Sequence, residues 1–402
     1  MKKILKHIWF RFRNIITLRP IRKWIMRKIE LPKLQRIVQL VESQYDGRAV
    51  LIFQHKMFDI YGKECFNGGA ERYVVDLADI LAARGYRPIL IQMGNPDGEL
   101  WHRDIKNLRI FGLPTNNYVL TSALFKKYEF VIYSGATQWG KKLHPNIMIS
   151  HGITWDTQSD NIYPHAILKL FDGVDKLVSV DTNTISWLRT TFAKTMQDFN
   201  AVYVPNYVDT KLYKPIARKP DGKIHITFPR RASPERGYWL MSDALPPIME
   251  KYKNVVFNFI GFAHGDKIKN DINRLIKLFP GRVNHRIVEP DDMPQVYQEA
   301  DISLIPTLYS EGTSLSCLEA QSTGNIVIST NVGGLPNLII DGYNGILINP
   351  NAHDLMTALD MVLANAQLRK TLSQNAVSVA RAFDKSVWEQ RWGKIIDEAK
   401  GN

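Results

Sequence analysis

The sequence predicts an α/β protein of two parallel-sheet domains preceded by a basic helical arm. From about residue 48, short apolar runs alternate with helical patterns, and runs that are apolar throughout suit strands buried on both faces. The alternation pauses over 204–223 and then restarts, which divides the chain into two sheets. Basic charge collects ahead of the first run. At 402 residues two or three domains are expected, since single cores rarely grow past about 250–300 residues. The apolar share of 45% and charged share of 23% exclude wholesale disorder, a collagen-like repeat and a multi-span membrane protein.

The arm is residues 1–44. It holds 12 Lys or Arg against Glu30 and Glu42, so it carries +10 of the net +13 and leaves +3 for the rest. Leu5, Ile8, Trp9, Phe12 and Ile16 share one helical face, with Lys3, Lys6, Arg11 and Arg13 largely off it. Pro20 can open a second helix, in which Ile21, Trp24, Ile25 and Ile29 repeat the pattern. Pro32 opens a third, with Leu34, Ile37, Val38 and Val41 in register. Apolar residues on one side and cations on the other describe a helix lying at an anionic membrane surface, or an arm packed on the first domain. Arg11 and Arg13 interrupt any signal-peptide core, and no run of about 18 apolar residues exists to span a bilayer. Cys65 and Cys317 are far apart and fit a reducing cytosol.

The first domain is expected over 45–205. Its strands read AVLIF (49–53), PILIQMG, FVIYSG (130–135), NIMISHG (146–152) and KLVSV (176–180), and Val74, Leu77, Ala78 and Leu81 mark a helix after the first. The linker VPNYVDTKLYKPIARKPDGK follows. The second domain, 206–383, has strands at 224–228, 255–261, 302–306, 325–330 and 345–350, with helices at 237–252, 314–323, 352–365 and 366–382. A last segment, 384–402, places Val387, Trp388, Trp392 and Ile395 on one face; it caps its own domain or crosses to the first.

Open parallel sheets bind ligands beyond the carboxyl ends of their strands, so chemistry is sought in the loops there. The richest is LIPTLYSEGTSLSCLEAQSTGNIVISTNVGG, from residue 304. Glu311 and Gly312 follow a strand, Thr313 or Ser314 caps a helix whose free amides favour phosphate, and Glu319 lies within that helix. The stretch resembles the signature of retaining glycosyltransferases of family 4, which have the GT-B fold of two Rossmann-like parallel-sheet domains facing across a cleft. Glu311, Gly312, Glu319, Ala320 and Gly333–Gly334 fill its EG…EA and GG positions. The resemblance implies that Glu311 lies beside the donor sugar and that Glu319 holds the ribose hydroxyls. Asn325 replaces the usual proline, and Asn337 stands where a glutamate is common.

Four further loops are similar to that family. In FPRRASPERG, Arg231 and Arg236 match its pyrophosphate clamp, with Arg236 in place of lysine and Arg230 competing for the first position. FNGGAER places Gly68 and Gly69 at a helix start, where backbone can approach a ligand, with Glu71 behind them. ISHGITWD sends His151 toward the cleft, and Asp156 stands ready to orient the acceptor hydroxyl or take its proton. PNYVD carries Tyr207 where the family has glycine.

The resemblance covers about residues 48–400. It implies transfer of a sugar from a nucleotide-sugar to an acceptor hydroxyl with retention at the anomeric carbon. No Asp-x-Asp site or His cluster occurs, and neither metal nor cofactor is expected. The expected acceptor is a lipid-linked glycan of cell-surface polysaccharide or lipopolysaccharide synthesis. The expected location is the cytoplasmic face of the cell membrane, reached through residues 1–44. A nucleic-acid partner is not expected, because no base-stacking motif accompanies the charge. The rival readings are an inactive GT-B-like membrane scaffold, or another enzyme of that fold such as a nucleotide-sugar epimerase or a phosphorylase.

Overall fold

A strand apolar along its whole length has nowhere to go but between two layers of helices, and both sheets follow that rule. The computed structural model describes residues 26–66, 68–94, 98–135, 141–153, 164–309 and 311–399. The first sheet has eight strands: β1 (Ala49–Gln54), β2 (Arg87–Met93), β3 (Trp101–Ile105), β4 (Leu108–Leu113), β5 (Phe130–Ser134), β6 (Asn146–Ser150), β7 (Lys176–Ser179) and β8 (Ala201–Tyr203). Their order is β3-β4-β2-β1-β5-β6-β7-β8, and β3 alone runs antiparallel, along β4. β1 is central, with Leu51 opposite Ile89 on one side and Val131 on the other. The second sheet holds β9 (Ile224–Pro229), β10 (Val255–Ile260), β11 (Val283–Arg286), β12 (Ile302–Ile305), β13 (Ile326–Thr330) and β14 (Ile346–Ile348), all parallel in the order β11-β10-β9-β12-β13-β14.

The helices cover both faces. α1 (Leu31–Glu42), α4 (Pro164–Phe171) and α5 (Thr182–Thr191) lie over the face of the first sheet bearing Leu51 and Phe53. α2 (Gly69–Ala83) lies over the face bearing Val50 and Ile52, and α3 (Tyr118–Ser122) follows β4. In the second domain α6 (Tyr238–Lys251), α7 (Asp266–Leu278) and α9 (Ala352–Ala364) cover one face, while α8 (Leu315–Ser322) covers the other. α10 (Ala366–Ala380) and α11 (Lys385–Ala399) complete the chain.

Three outcomes bear on the sequence expectations. The Pro32 helix forms as α1, and Leu34, Val38 and Val41 are buried, the latter two in the core of the first domain, so this stretch of the arm packs on that domain. Residues 1–25 lie outside the described residues. α11 crosses back: Trp388, Trp392, Ile395 and Ile396 join the core under α2, and Trp392 Nε1 donates to Tyr73 Oη at 2.7 Å. Each such side chain contributes roughly 1.5–3 kcal/mol by leaving water. The antiparallel edge β3 was not expected, because WHRDI is exposed and has no apolar run to mark it.

Candidate active site

The carboxyl ends of β9 and β12 meet at Glu311. After β9, Arg230 turns inward: its Nη1 donates to Thr307 Oγ1 at 2.5 Å and its Nη2 to Glu311 Oε2 at 3.2 Å. Thr307 itself donates to Glu311 at 3.0 Å, and Arg236 completes the set with an ion pair to the same oxygen. Gly237 makes that reach possible. Its φ is +76°, and a Cβ there would lie 1.7 Å from the carbonyl oxygen of Pro306 at the end of β12, so a side chain would drive the Arg236 turn away from Glu311. The Arg230 side chain is only 8% exposed and that of Glu311 only 11%, so each depends on the other for its counter-charge. Burial opposes ionisation of Glu311, but Arg230, Arg236 and the Thr307 hydroxyl outweigh it and hold the carboxyl below its usual range.

Of the arginines, the structure turns Arg230 and Arg236 to Glu311. Arg231 is exposed, and its charge acts on Glu71. Strand alternation sends neighbouring side chains to opposite sides, and the sequence spacing left Arg230 and Arg231 competing.

The glycine turns seat this loop on the first domain. A Cβ on Gly312 would lie 2.6 Å from Val180 Cγ2 and 2.7 Å from the carbonyl oxygen of His151. One on Gly334 would meet the Gly312 backbone at 2.6 Å. Thr313 is buried at the junction, donating to Val180 O at 2.7 Å and accepting from the Asn206 N–H at 2.8 Å. It therefore ties the domains together. Asn337 does likewise, donating to Thr182 Oγ1 at 2.6 Å and accepting from its N–H at 3.0 Å. Asn325, in place of proline, is fully buried and bonds Ser303, Tyr297 O and Thr323. Ser314 occupies the N-cap position of α8 without a side-chain capping bond, its hydroxyl instead lying 3.5 Å from Arg230 Nη2.

On the first domain, His151 follows β6. Its Nε2 lies 3.2 Å from Ser134 Oγ, and its ring meets Tyr73 edge-on at 5.3 Å. Burial lowers its pKa to about 4, so the imidazole is neutral near pH 7. Gly68 caps α2, and Gly69 faces Leu315 of α8, where a Cβ would lie 3.2 Å from Cδ1. Glu71 folds back onto the start of α2; burial raises its pKa, partly offset by backbone N–H groups and Arg231. Asp156 lies outside the described residues.

Glu319 is buried in α8, and its carboxylate accepts from Arg72 Nη1 of α2 at 2.9 Å. Tyr213 and Tyr297 lie beside it. Sequence reasoning missed Arg72, because its partner is 247 positions away, and it missed Thr307 and Ser134, whose types are common in any loop. Tyr207, the departure at the junction, is buried, packs its ring at a 34° tilt against Trp388 with centroids 4.2 Å apart, and donates to Asp76 of α2. No group of three or more His, Cys, Asp or Glu suited to a metal occurs among the described residues.

The site thus brings together neutral His151, two arginines on a buried carboxylate, a helix start and a second carboxylate, all between two sheets. Residues 209–379 match the family described as glycosyl transferases group 1. Over 363 residues, 83% of this chain and 94% of the relative, the sequence is 22% identical to a phosphatidyl-myo-inositol mannosyltransferase of Mycobacterium tuberculosis. Among solved structures, the sucrose-phosphate synthase of Thermosynechococcus elongatus superposes with a TM-score of 0.67 at 17% identity, covering 87% of this chain and 98% of that one. Anabaena Alr3699/HepE in complex with UDP gives 0.65 at 15% identity, covering 87% and 100%. These likenesses establish the GT-B architecture.

Proposed function

We propose, from the match of residues 209–379 to the glycosyl transferases group 1 family, that the chain moves a sugar from a nucleotide-sugar to an acceptor hydroxyl with retention. The observation that carries the reading is the Arg230–Glu311–Arg236 cluster at the strand ends, its Arg230 and Glu311 side chains nearly buried, with the next residue, Gly312, against the backbone of His151. In the reaction the bond from the anomeric carbon to the diphosphate oxygen breaks, and the acceptor oxygen bonds that carbon on the same face. The acceptor proton passes to the departing phosphate. Negative charge grows on the leaving group, and preorganised cations stabilise such charge best. Arg230, Arg236 and the amides opening α8 supply them. Glu311 keeps both arginines aimed and meets the sugar hydroxyls, neutral His151 offers a hydrogen bond without repelling the cationic sugar centre, and Glu319 accepts from the ribose hydroxyls. Burying the site between the domains limits donor hydrolysis by water.

The acceptor in this reading is a lipid-linked glycan at the membrane's cytoplasmic face. Support comes from the basic arm and from the outer stripe of α1, where Lys33, Arg36 and Leu40 are all exposed with no acid among them, and from exposed Ile29 just ahead of that helix. The lipid named in the mannosyltransferase relative points the same way. No described helix is long and apolar enough to cross a membrane.

The test is a screen of labelled nucleotide sugars with membrane extract as acceptor, followed by the anomeric configuration of the product. Transfer from one donor with retained configuration is expected. Absence of any transfer, together with absence of nucleoside diphosphate binding, would falsify the reading.

A further inference from the structure

The ionic partner of Glu319 comes from the opposite domain. Arg72 stands near the start of α2, and the bond from its Nη1 to Glu319 Oε1 is 2.9 Å long. Glu319 is 4% exposed, whereas 41% of the Arg72 side-chain surface is exposed. The helices that carry the pair are held close: a Cβ on Gly69 of α2 would lie 3.2 Å from Leu315 Cδ1 of α8, and Tyr207 fastens the linker to Asp76 of α2. Arg72 is therefore placed by the docking of one domain on the other. A carboxylate that receives two ribose hydroxyls has to be ionised and correctly turned, and a buried carboxylate deprived of its cation is strongly destabilised.

We propose that Arg72 is a positioning residue for the donor ribose, fixing the Glu319 carboxylate from across the cleft so that nucleoside recognition by the second domain requires the first. The proposal rests on the ribose role given to Glu319 above. It assigns Arg72 no contact with the reacting atoms.

The experiment uses the purified full chain and calorimetric titration with UDP, GDP and ADP. The diphosphate that binds tightest is then compared with its 2′-deoxy counterpart. Wild type is expected to prefer the ribo form by roughly tenfold, the scale of a hydrogen bond to a charged group. Arg72→Ala and Arg72→Gln should shrink that preference to about twofold or less, and Arg72→Lys should restore part of it by keeping the charge. A merely structural loss weakens both ligands equally and leaves the ratio intact, which would overturn the proposal. Glu319→Ala separates the two layers. If it keeps the full preference, the ribose role of Glu319 fails and the proposal with it. If it abolishes the preference while Arg72→Ala retains it, the proposal alone fails. Should none of the three diphosphates bind wild type, the donor reading itself falls. If Arg72→Ala does not fold, the Gln and Lys variants carry the same comparison.

Discussion

Glu311 and Glu319 belong to one loop-and-helix segment, yet they are held in opposite ways. Glu311 takes its partners from its own domain: Arg230, Arg236 and Thr307 all arise from loops at the ends of β9 and β12. Glu319 takes its ionic partner, Arg72, from the other domain. The difference teaches how a two-domain site divides its labour. The charged cluster nearest the proposed leaving group takes all of its charged partners from one domain. The other carboxylate is completed only when α2 and α8 are docked.

The largest effect should come from breaking the self-contained half. Glu311→Gln preserves shape but leaves Arg230 buried without its counter-charge. Transfer should fall by about 10²–10³, as for removal of a preorganised electrostatic group, and stability by about 3–5 kcal/mol. Unchanged transfer in a folded variant would remove Glu311 from the site. The cross-domain half is probed by Trp392→Ala, which empties a fully buried space in the first domain's core although the residue lies in the last helix. A loss of about 3–5 kcal/mol in urea unfolding is expected. A cost below about 1 kcal/mol, the scale of an ordinary surface change, would mean that α11 is not seated there.

His151 sharpens the comparison from the first-domain side of the cleft. Its folded pKa, about 4, lies below the ordinary value of 6.5. The unfolded chain therefore binds the extra proton between those values. The stability contribution is fully present above pH 6.5 and is lost as pH falls toward 4, by at most about 3 kcal/mol. Melting curves of wild type across that window should slope downward with acid, and His151→Gln should flatten the slope. The smallest effect belongs to Arg231→Ala. Its side chain is exposed and its charge partner is Glu71, so donor binding should change by less than about fivefold, as for a surface ion pair. Arg230→Ala should cost far more. The reverse ranking, measured by donor titration, would return the clamp role to Arg231.

Much of this was legible in the sequence, for identifiable reasons. Parallel strands buried on two faces must be apolar throughout, so AVLIF and NIVIST announce themselves. Glycines forced by close approach leave a mark as well: Gly312, Gly333 and Gly334 each stand where a Cβ would strike backbone, and all three belong to the pattern that drew attention to the loop. Other features left no such trace. β11 reads VNHR, and β3 is an exposed edge, so neither shows an apolar run. The choice between Arg230 and Arg231 turned on which side of the strand end each one leaves.

By itself, the sequence determined the two-sheet α/β architecture, the location of the linker, and the loops that carry Glu311, Glu319, Arg236 and His151. The architecture and linker are matters of periodicity and local backbone chemistry, which neighbouring residues encode; the residues within the loops were singled out by the resemblance to the family. Only the tertiary structure decided that α1 packs into the first domain, that α11 crosses to bury Trp392 beside Tyr73, and that Arg72 reaches Glu319. Each of those joins residues far apart in the chain, and such a contact depends on how whole helices dock. No local pattern in the sequence records that.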